Sequence, residues 1–408
     1  MANHAELPTS RLADDLAIGL LAKTFPYKAV HAAIATTGRL EQRTRTLPAW
    51  LMAYLSMALW LDLGTGYVRV LRNLISGLHW SSGLTHCYPI PTDGAICRAR
   101  ERLGSEPLRL LFDSTTRPAG HPRATWRGLR KVAVDSTVFD LPSSEKNLVE
   151  FAGGTGSAVP QVRLSLLAEC GSQALLGAAF DSAAAGERAP LEQVLDRCRP
   201  GMLVMAARAV PSYDLYSRTA ATGAELLWGT CDSFTLPFKS RLSDGSYLSE
   251  LRGRRPADRL AVRVIEAGLV YDDETPGVRA LVTTLLDPRT APAQELAACY
   301  AERWDTAALL RRTKVDLRRP GGALRSRTPD GVRQEIWALL CVYQALRTLG
   351  TGREDADGSF TGGPFGGAPS AGSPSADGSL ADGSFADGPG LPAVPESTGN
   401  PRTAALTH

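Results

Sequence analysis

The chain has 408 residues, of which 44% are hydrophobic and 21% charged, and its formal net charge at pH 7 is +3. This apolar content can bury the cores of two or three domains, and no apolar run reaches the ~18 residues of a membrane-spanning helix, which argues against a membrane protein. The N-terminus lacks the basic start and apolar segment of a signal peptide, and the seven scattered cysteines, never spaced as Cys-x2-Cys, argue against a disulfide framework and a zinc site. We therefore expect a cytoplasmic protein.

Residues 8–115 have the apolar spacing and turn signals of a helical region. Two periodic apolar segments precede a third, 47–63, that is almost entirely apolar. Residues 93–104 combine an acidic N-cap candidate, Asp93, with a basic face and a C-terminal glycine, a pattern that predicts a helix. This helix is either a DNA-reading helix or a solvated surface helix whose arginines pair with Glu101.

From Lys131 onward the pattern changes to short β-rich runs bounded by turn-forming residues. These runs, with one helix-like segment at 191–197, predict strands at residues 131–141, 161–168, 173–180 and 202–206. Three strands, a helix and a fourth strand are typical of the start of a ribonuclease-H-like sheet. Residues 225–286 contain further strand and turn patterns, including the tight-turn signal Asp244-Gly245.

The last part of the chain differs in composition from the rest. Residues 349–408 repeat Ala-Asp-Gly-Ser and carry too little apolar surface to offset the entropy of ordering, so we expect them to be disordered. From Thr348 onward the chain holds two basic residues against seven acidic ones, which leaves a net charge of about +8 on the preceding residues. A basic body suits a polyanionic partner such as nucleic acid.

A comb of polar residues occupies one stripe of a predicted helix between residues 300 and 314. Tyr300, Arg303, Ala307 and Lys314 are three, four and seven residues apart, and at ~100° per residue they share one face. Tyrosine, arginine and lysine on one face suit a grip on the phosphate backbone of DNA. The remaining position, at which a carboxylate could bind a metal ion, holds alanine.

The spacing Tyr-x2-Arg-x3-(Glu)-x6-Lys resembles the signature of a large group of bacterial insertion-sequence transposases, whose catalytic acids are Asp, Asp and Glu on a ribonuclease-H-like fold. Residues 132–142 resemble the strand that carries the first aspartate of this group, and residues 324–337 resemble its segment after the glutamate helix. The resemblance covers roughly residues 10 to 348 and departs from the signature at Ala307.

The resemblance implies an α/β protein with a ribonuclease-H-like catalytic core, interrupted by a β-rich insertion, between an all-α N-terminal domain and a disordered C-terminal tail. In the group, the insertion separates the second acid from the glutamate helix. The implied boundaries are 1–125 for the helical DNA-binding-type domain, 126–224 and 287–348 for the two parts of the core, 225–286 for the insertion and 349–408 for the tail.

The resemblance assigns the first catalytic acid to Asp135 and leaves the other two acid positions without a carboxylate. Ala207, in the segment 205–213, replaces the second aspartate, and Ala307 replaces the glutamate. The Mg²⁺ or Mn²⁺ ions that the group uses prefer carboxylate oxygens, and alanine has none. We therefore expect Asp135 to be a vestigial metal ligand, productive metal binding to be lost, and the protein to be catalytically inactive.

Two other acids are candidates to substitute for the missing carboxylates. Asp305 lies two residues before Ala307 on the same predicted helix, and Asp214 lies beyond a proline after Ala207, so each would need a rearrangement to reach the site. The basic comb and the arginines that follow it are expected to contact DNA. The predicted DNA contacts are Tyr300, Arg303, Lys314, Arg325 and Arg327.

Three functions remain open from the sequence. The first is a transposase-like protein that binds the DNA ends of an insertion sequence, associates with the nucleoid and lacks autonomous DNA cleavage. The second is an active metal-dependent transposase that uses substitute acids, and the third is a decayed relic without function. A homo-oligomer, or a mixed oligomer with active relatives, is compatible with the first, and no membrane partner is expected.

Overall fold

The computed structural model describes residues 12–43, 45–61, 66–82, 91–154, 156–206, 212–230, 236–269, 278–303 and 324–357. Several of the predicted features lie outside these residues, namely Ala207, Asp305, Ala307, Lys314 and the tail from residue 358 onward. In the part of the chain that is described, no helix is both long and apolar enough to cross a membrane.

The N-terminal region is helical, which confirms the prediction from its sequence. Its helices are α1 (Leu12–Thr24), α2 (Tyr27–Thr36), α3 (Ala49–Leu61), α4 (Tyr67–Ser82), α5 (Asp93–Leu103) and α6 (Glu106–Thr115). Helix α3 is apolar on every side, and its residues from Leu51 to Trp60 are buried among the other helices.

The cap of α5 differs from the predicted one. The side chain of Thr92 accepts a hydrogen bond from the backbone N of Ala95 at 3.3 Å, so Asp93 is the first residue of the helix and not its cap. At the other end, Gly104 has a φ of 71°, in the left-handed region that commonly follows a helix and favours glycine.

A mixed sheet forms the core that follows. Its first strands and the helices between them are β1 (Thr125–Trp126), β2 (Leu129–Asp140), α7 (Glu145–Glu150), β3 (Gln161–Glu169), β4 (Leu175–Ser182), α8 (Arg188–Leu195), β5 (Met202–Ala206), α9 (Tyr213–Ala220) and β6 (Glu225–Thr230). The strand order is β4-β3-β2-β5-β6, in which β2, β5 and β6 are parallel and β3 and β4 are antiparallel to their neighbours. This arrangement confirms the predicted mixed α/β fold.

Further antiparallel strands extend this sheet beyond β6. They are β7 (Ser240–Arg241), β8 (Tyr247–Arg252), β9 (Arg259–Leu269) and β10 (Val278–Thr283), in the order β6-β10-β9-β8-β7. With β1, which pairs with β2, the described residues form a single sheet of ten strands. Gly245, with a φ of 83°, lies in the turn between β7 and β8 that Asp244-Gly245 predicts. Because β6 begins at Glu225, the segment 225–286 supplies both the last parallel strand and the antiparallel extension.

Two further helices follow β10 in the described residues. Helix α10 comprises the helical residues 293–303, and α11 is Pro329–Asp357. Helix α11 extends past residue 348, the predicted end of the core, because lengthening an existing helix costs less than starting one.

Side chains alternate along β2 and divide the core between the two faces of the sheet. Val132 and Val134 pack on one face in a cluster that includes Leu191 of α8 and Leu215 of α9. Ala133 packs on the other face, in a cluster with residues of α10. On this second face, apolar residues of β3 also join a cluster with α11 and the N-terminal helices.

Candidate active site and nucleic-acid interface

Asp135 lies on β2 at the point where the neighbouring parallel strand ends. Val134 pairs with Ala206, the last residue of β5, and Asp135 is the next residue of β2. Alternation places Asp135 on the same face of the sheet as Ala133, which packs with α10. Oδ1 of Asp135 accepts a hydrogen bond from the backbone N of Ser136 at 2.8 Å. The predicted first acid therefore stands where the parallel pairing of β2 with β5 ends, and the carboxyl ends of parallel strands are where sites form in α/β sheets.

Tyr300 of α10 is fully buried against the face that carries Asp135. Its Oη donates a hydrogen bond to the backbone O of Ala206 at 3.1 Å, and its ring packs in the cluster that contains Ala133 and Met205. The hydroxyl is thus bound to the protein backbone. A direct contact of Tyr300 with DNA remains a prediction, and this burial argues against it.

Arg303, one turn further along α10, has only 3% of its side chain exposed. Its guanidinium lies over the ring of Tyr300, 5.1 Å from the ring centroid. The neighbouring Glu302 is exposed and forms an ion pair with the buried Lys131 near the start of β2. These contacts hold α10 on the sheet, and they leave little of Arg303 accessible to the DNA backbone that it was predicted to contact.

The two alanines at the positions of missing acids lie outside the described residues. Ala207 follows Ala206 directly in the sequence, and Ala307 follows Arg303 by four residues. Neither alanine side chain can bind a metal ion in any position, because a methyl group offers no donor oxygen. Lys314 of the polar comb also lies outside the described residues.

Asp214, a candidate substitute for the missing second acid, lies on α9. Its neighbours Leu215 and Tyr216 pack in the cluster with α8, on the face opposite to Asp135. The carboxylate of Asp214 is exposed and lies 3.7 Å from the guanidinium of Arg188. Packing of these neighbours on the other face places the sheet between α9 and Asp135, which argues against Asp214 as a substitute metal ligand.

The described residues, together with the two alanines, do not offer the converging carboxylates that the paired metal ions of the transposase group need. Such a pair needs several carboxylate oxygens that converge on one place. Within the described ranges, no group of three or more His, Cys, Asp or Glu side chains could hold a metal ion. Asp135 supplies a carboxylate, and the two alanines supply none, so this donor set is too small for a two-metal centre.

A short basic loop, residues 324–328, leads into α11, and we call it the arginine loop. Its first residue is tied to the sheet, because the backbone N of Leu324 donates to the backbone O of Asp140 at 3.3 Å, at the end of β2. The side chains of Arg325 and Arg327 are exposed, and in the described part of the chain neither forms an ion pair. Both guanidinium groups are thus accessible from solvent, and contact of Arg325 and Arg327 with DNA remains a prediction.

Buried polar side chains hold the backbone of the arginine loop. Oε2 of Glu335 accepts hydrogen bonds from the backbone N of Arg325 at 2.9 Å and of Ser326 at 3.3 Å. Nδ2 of Asn147 donates to the backbone O of Ser326 at 3.0 Å, and Oγ of Ser144 donates to that of Arg327 at 2.8 Å. Neither Glu335 nor Asn147 was predicted from the sequence, because the start of α11 also holds Asp330, Arg333 and Gln334 and residue type alone does not indicate which of these polar side chains is buried.

The arginines of α5, the candidate DNA-reading helix, divide between the interior and the surface. Arg100 is 6% exposed, and its Nε donates to Oε1 of Gln334 on α11 at 2.9 Å. Arg98 and Arg102 are exposed, and neither forms an ion pair with Glu101. Arg100 therefore joins the N-terminal helices to α11, and the two exposed arginines are the ones of this helix that a DNA contact would use.

Comparison with known families follows the same division of the chain. The family described as "Insertion element 4 transposase N-terminal" matches residues 15–113, and the family described as "Transposase DDE domain" matches residues 126–345. The first match covers the N-terminal helices, and the second runs from β1 into α11.

Relatives of known name are transposases. The chain is 25% identical to the transposase InsG for insertion sequence element IS4 of Escherichia coli (strain K12) over 333 residues, which cover 77% of this chain and 72% of InsG. It is 26% identical to the putative transposase InsZ of the same organism over 169 residues, 39% of this chain and 53% of InsZ.

A solved structure is also similar in part. It is a piggyBac transposase synaptic complex with hairpin DNA, with 9% sequence identity, coverage of 86% of this chain and 77% of that one, and a TM-score of 0.41, which is too low to support an inference. The family matches cover the helical region and the sheet with its helices. The chain therefore belongs to the IS4-type insertion-element transposases, with a transposase DDE domain that follows an IS4-type N-terminal region.

Proposed function

We propose that this transposase binds DNA of insertion-sequence ends but does not cleave or join it autonomously. The observation that carries the second half is the donor set around Asp135. The carboxylate of Asp135 stands on β2 beside the carboxyl end of β5, while the two positions that resemble the other catalytic acids hold alanine. Loss of a residue that hydrogen-bonds to a metal ligand already costs roughly 10- to 100-fold in metal affinity or activity, and loss of the ligand itself is more severe.

The arginine loop supports the first half of the proposal. Arg325 and Arg327 are exposed on a backbone that three buried or half-buried side chains hold in place, so the backbone that carries them loses little freedom on binding. Arginine matches phosphate oxygens in a bidentate geometry. The net charge of about +8 before the tail adds long-range attraction for a polyanion.

The binding test compares two double variants in a titration of fluorescent duplex DNA that carries an insertion-sequence end. Arg325→Ala with Arg327→Ala should weaken binding about 10- to 100-fold at low salt and should lower the slope of log K against log[salt] by about 2, because two phosphate contacts are lost. Arg123→Ala with Arg199→Ala is the matched control. It removes two exposed arginines without ion pairs in the described residues, and both lie beyond the amino ends of β2 and β5.

Equal weakening by both pairs of substitutions would show that only total charge matters and would remove the arginine loop from the interface. Absence of DNA binding by the native protein even at low salt would overturn the proposal and favour a relic.

The cleavage test uses the same DNA with Mg²⁺ or Mn²⁺. We expect negligible cleavage by the native protein, and we expect the combined substitution Ala207→Asp with Ala307→Glu to restore measurable metal-dependent cleavage, because two carboxylates are returned. The triple variant that also carries Asp135→Ala is the control and should be inactive. Cleavage by the native protein that disappears in Asp135→Ala alone would instead establish the active enzyme with substitute acids.

A further inference from the structure

Glu335 is buried at the junction of α11, the arginine loop and the N-terminal helices. Its side chain has 7% exposure, and one carboxylate oxygen, Oε2, accepts from two consecutive backbone amides, those of Arg325 and Ser326. Its own backbone O accepts from Nε1 of Trp60 on α3 at 2.9 Å. The residue therefore contacts the loop with its side chain and the N-terminal helices with its backbone.

Burial of a carboxylate costs free energy unless the carboxylate is paired with an opposite charge or accepts hydrogen bonds. Burial raises the pKa of Glu335, and the nearby charge of Arg100 and the amides of Ser326 and Arg325 oppose this rise. Arg100 does not pair with Glu335 directly, because its Nε and Nη1 donate to Gln334 and Tyr67. The direct partners of the carboxylate are thus in the arginine loop, namely the amides of Arg325 and Ser326 and the side chain of Ser326.

We propose that Glu335 is a positioning residue for DNA binding, which acts by holding the backbone of the arginine loop so that Arg325 and Arg327 point to solvent. The inference rests on the proposed binding of DNA. Glu335 touches no DNA itself. Its carboxylate takes the place of the water that the two consecutive loop amides would otherwise bind, and its backbone O accepts the hydrogen bond from Trp60 of α3.

The neighbouring Gln334 provides a matched control. Its Nε2 donates to the backbone O of Arg100 at 3.0 Å and of Gly104 at 2.9 Å, and its Oε1 accepts from Arg100. Gln334→Ala therefore weakens the same junction between α11 and the N-terminal helices without removing a bond to the arginine loop.

The experiment measures hydrogen exchange of the loop and binding of a fluorescent duplex of mixed sequence at low salt. In Glu335→Ala we expect exchange of the Arg325 and Ser326 amides to accelerate about tenfold or more and DNA affinity to fall about tenfold, since one hydrogen bond of this kind corresponds to roughly a factor of ten. Gln334→Ala should leave both quantities near native values even when it lowers the melting temperature comparably.

Two conservative variants separate geometry from charge and remain available if Glu335→Ala does not fold. Glu335→Gln keeps the oxygen in place and should retain slow exchange and affinity, whereas Glu335→Asp keeps the charge but withdraws the oxygen by one methylene and should reproduce the alanine effect. Rescue by aspartate with failure of glutamine would overturn the positioning role.

The inference is also overturned if loop exchange accelerates in Glu335→Ala while DNA affinity stays native, or if Gln334→Ala weakens binding equally. Loss of DNA binding by the native protein is a different failure. It would overturn the proposed function, and the exchange rates would still decide whether Glu335 holds the loop.

Discussion

Tyr300 and Asp135 both lie near the end of β5, where the side chain of Tyr300 contacts the backbone. The hydroxyl of Tyr300 donates to Ala206, whose strand partner Val134 directly precedes Asp135. Arg303 then stacks on the Tyr300 ring. The buried ring and the hydroxyl of Tyr300 thus join α10 to the end of β5.

Removal of this hydroxyl should affect stability and leave DNA binding unchanged. We expect Tyr300→Phe to lower the free energy of unfolding by about 1 kcal/mol, because the hydroxyl hydrogen bond to the Ala206 carbonyl is lost. Urea denaturation measures the change. Tyr343→Phe, which removes a hydroxyl bond of 2.8 Å to the Gln173 carbonyl, is the control for an equivalent loss elsewhere.

A direct DNA contact by Tyr300 would produce a different result. The affinity of Tyr300→Phe for DNA would then fall while the affinity of Tyr343→Phe would not, and the predicted phosphate contact would be established in spite of the burial.

Among the elements, the antiparallel extension of the sheet depends on charge as well as on strand pairing. Glu250 on β8 forms ion pairs with Lys239, with Arg252 at 2.8 Å and with Arg259 of β9 at 3.3 Å. The hydrogen bonds from Lys239 and Arg252 lower the pKa of Glu250 to about 2. One carboxylate thus draws together β8, β9 and the segment before β7.

This arrangement predicts a stability difference that depends on pH. Because the folded-state pKa of Glu250 is lowered from 4.5, its contribution is fully present above the unfolded-state pKa and is lost as the pH falls through about 2. Glu250→Gln should therefore be less stable than the native protein at pH 7, and the difference should shrink between pH 4.5 and 2. Chemical denaturation at several pH values measures it, and a constant difference would contradict the ion-pair explanation.

At the scale of the whole molecule, charge is distributed unevenly along the chain. Residues 358–408 hold four acidic side chains and one basic side chain, whereas the residues before Thr348 carry a net charge of about +8. Long-range attraction to DNA depends on this total as well as on individual contacts, and salt screens it.

Deletion of residues 358–408 should therefore strengthen the binding of mixed-sequence duplex DNA at low salt by several-fold, and the gain should disappear at high salt, because about three net negative charges are removed. Helix α11 ends at Asp357 and remains complete in this variant. Replacement of the tail's four acids by their amides is the control and should reproduce the gain. If only the deletion strengthened DNA binding, the effect would come from the presence of the tail and not from its charge.

The sequence by itself determined the element types of this protein and the absence of a carboxylate at positions 207 and 307. Apolar periodicity is a local property, so the N-terminal helices and the strands β2, β3, β4 and β5 could be predicted within a few residues. The resemblance to the transposase group assigned two acid positions to Ala207 and Ala307, and the absence of a carboxylate there follows from the sequence because it is independent of conformation.

Only the tertiary structure decided which polar side chains face solvent and which face the core. It buried Tyr300 and Arg303, placed Asp214 on the opposite face of the sheet from Asp135, and brought Glu335 to the amides of the arginine loop. Helical spacing predicted that the polar comb shares one face of a helix, but only the packing of α10 against the sheet showed that its first residue, Tyr300, is buried. These outcomes depend on contacts between residues far apart in the chain, and no local pattern of residue types specifies them.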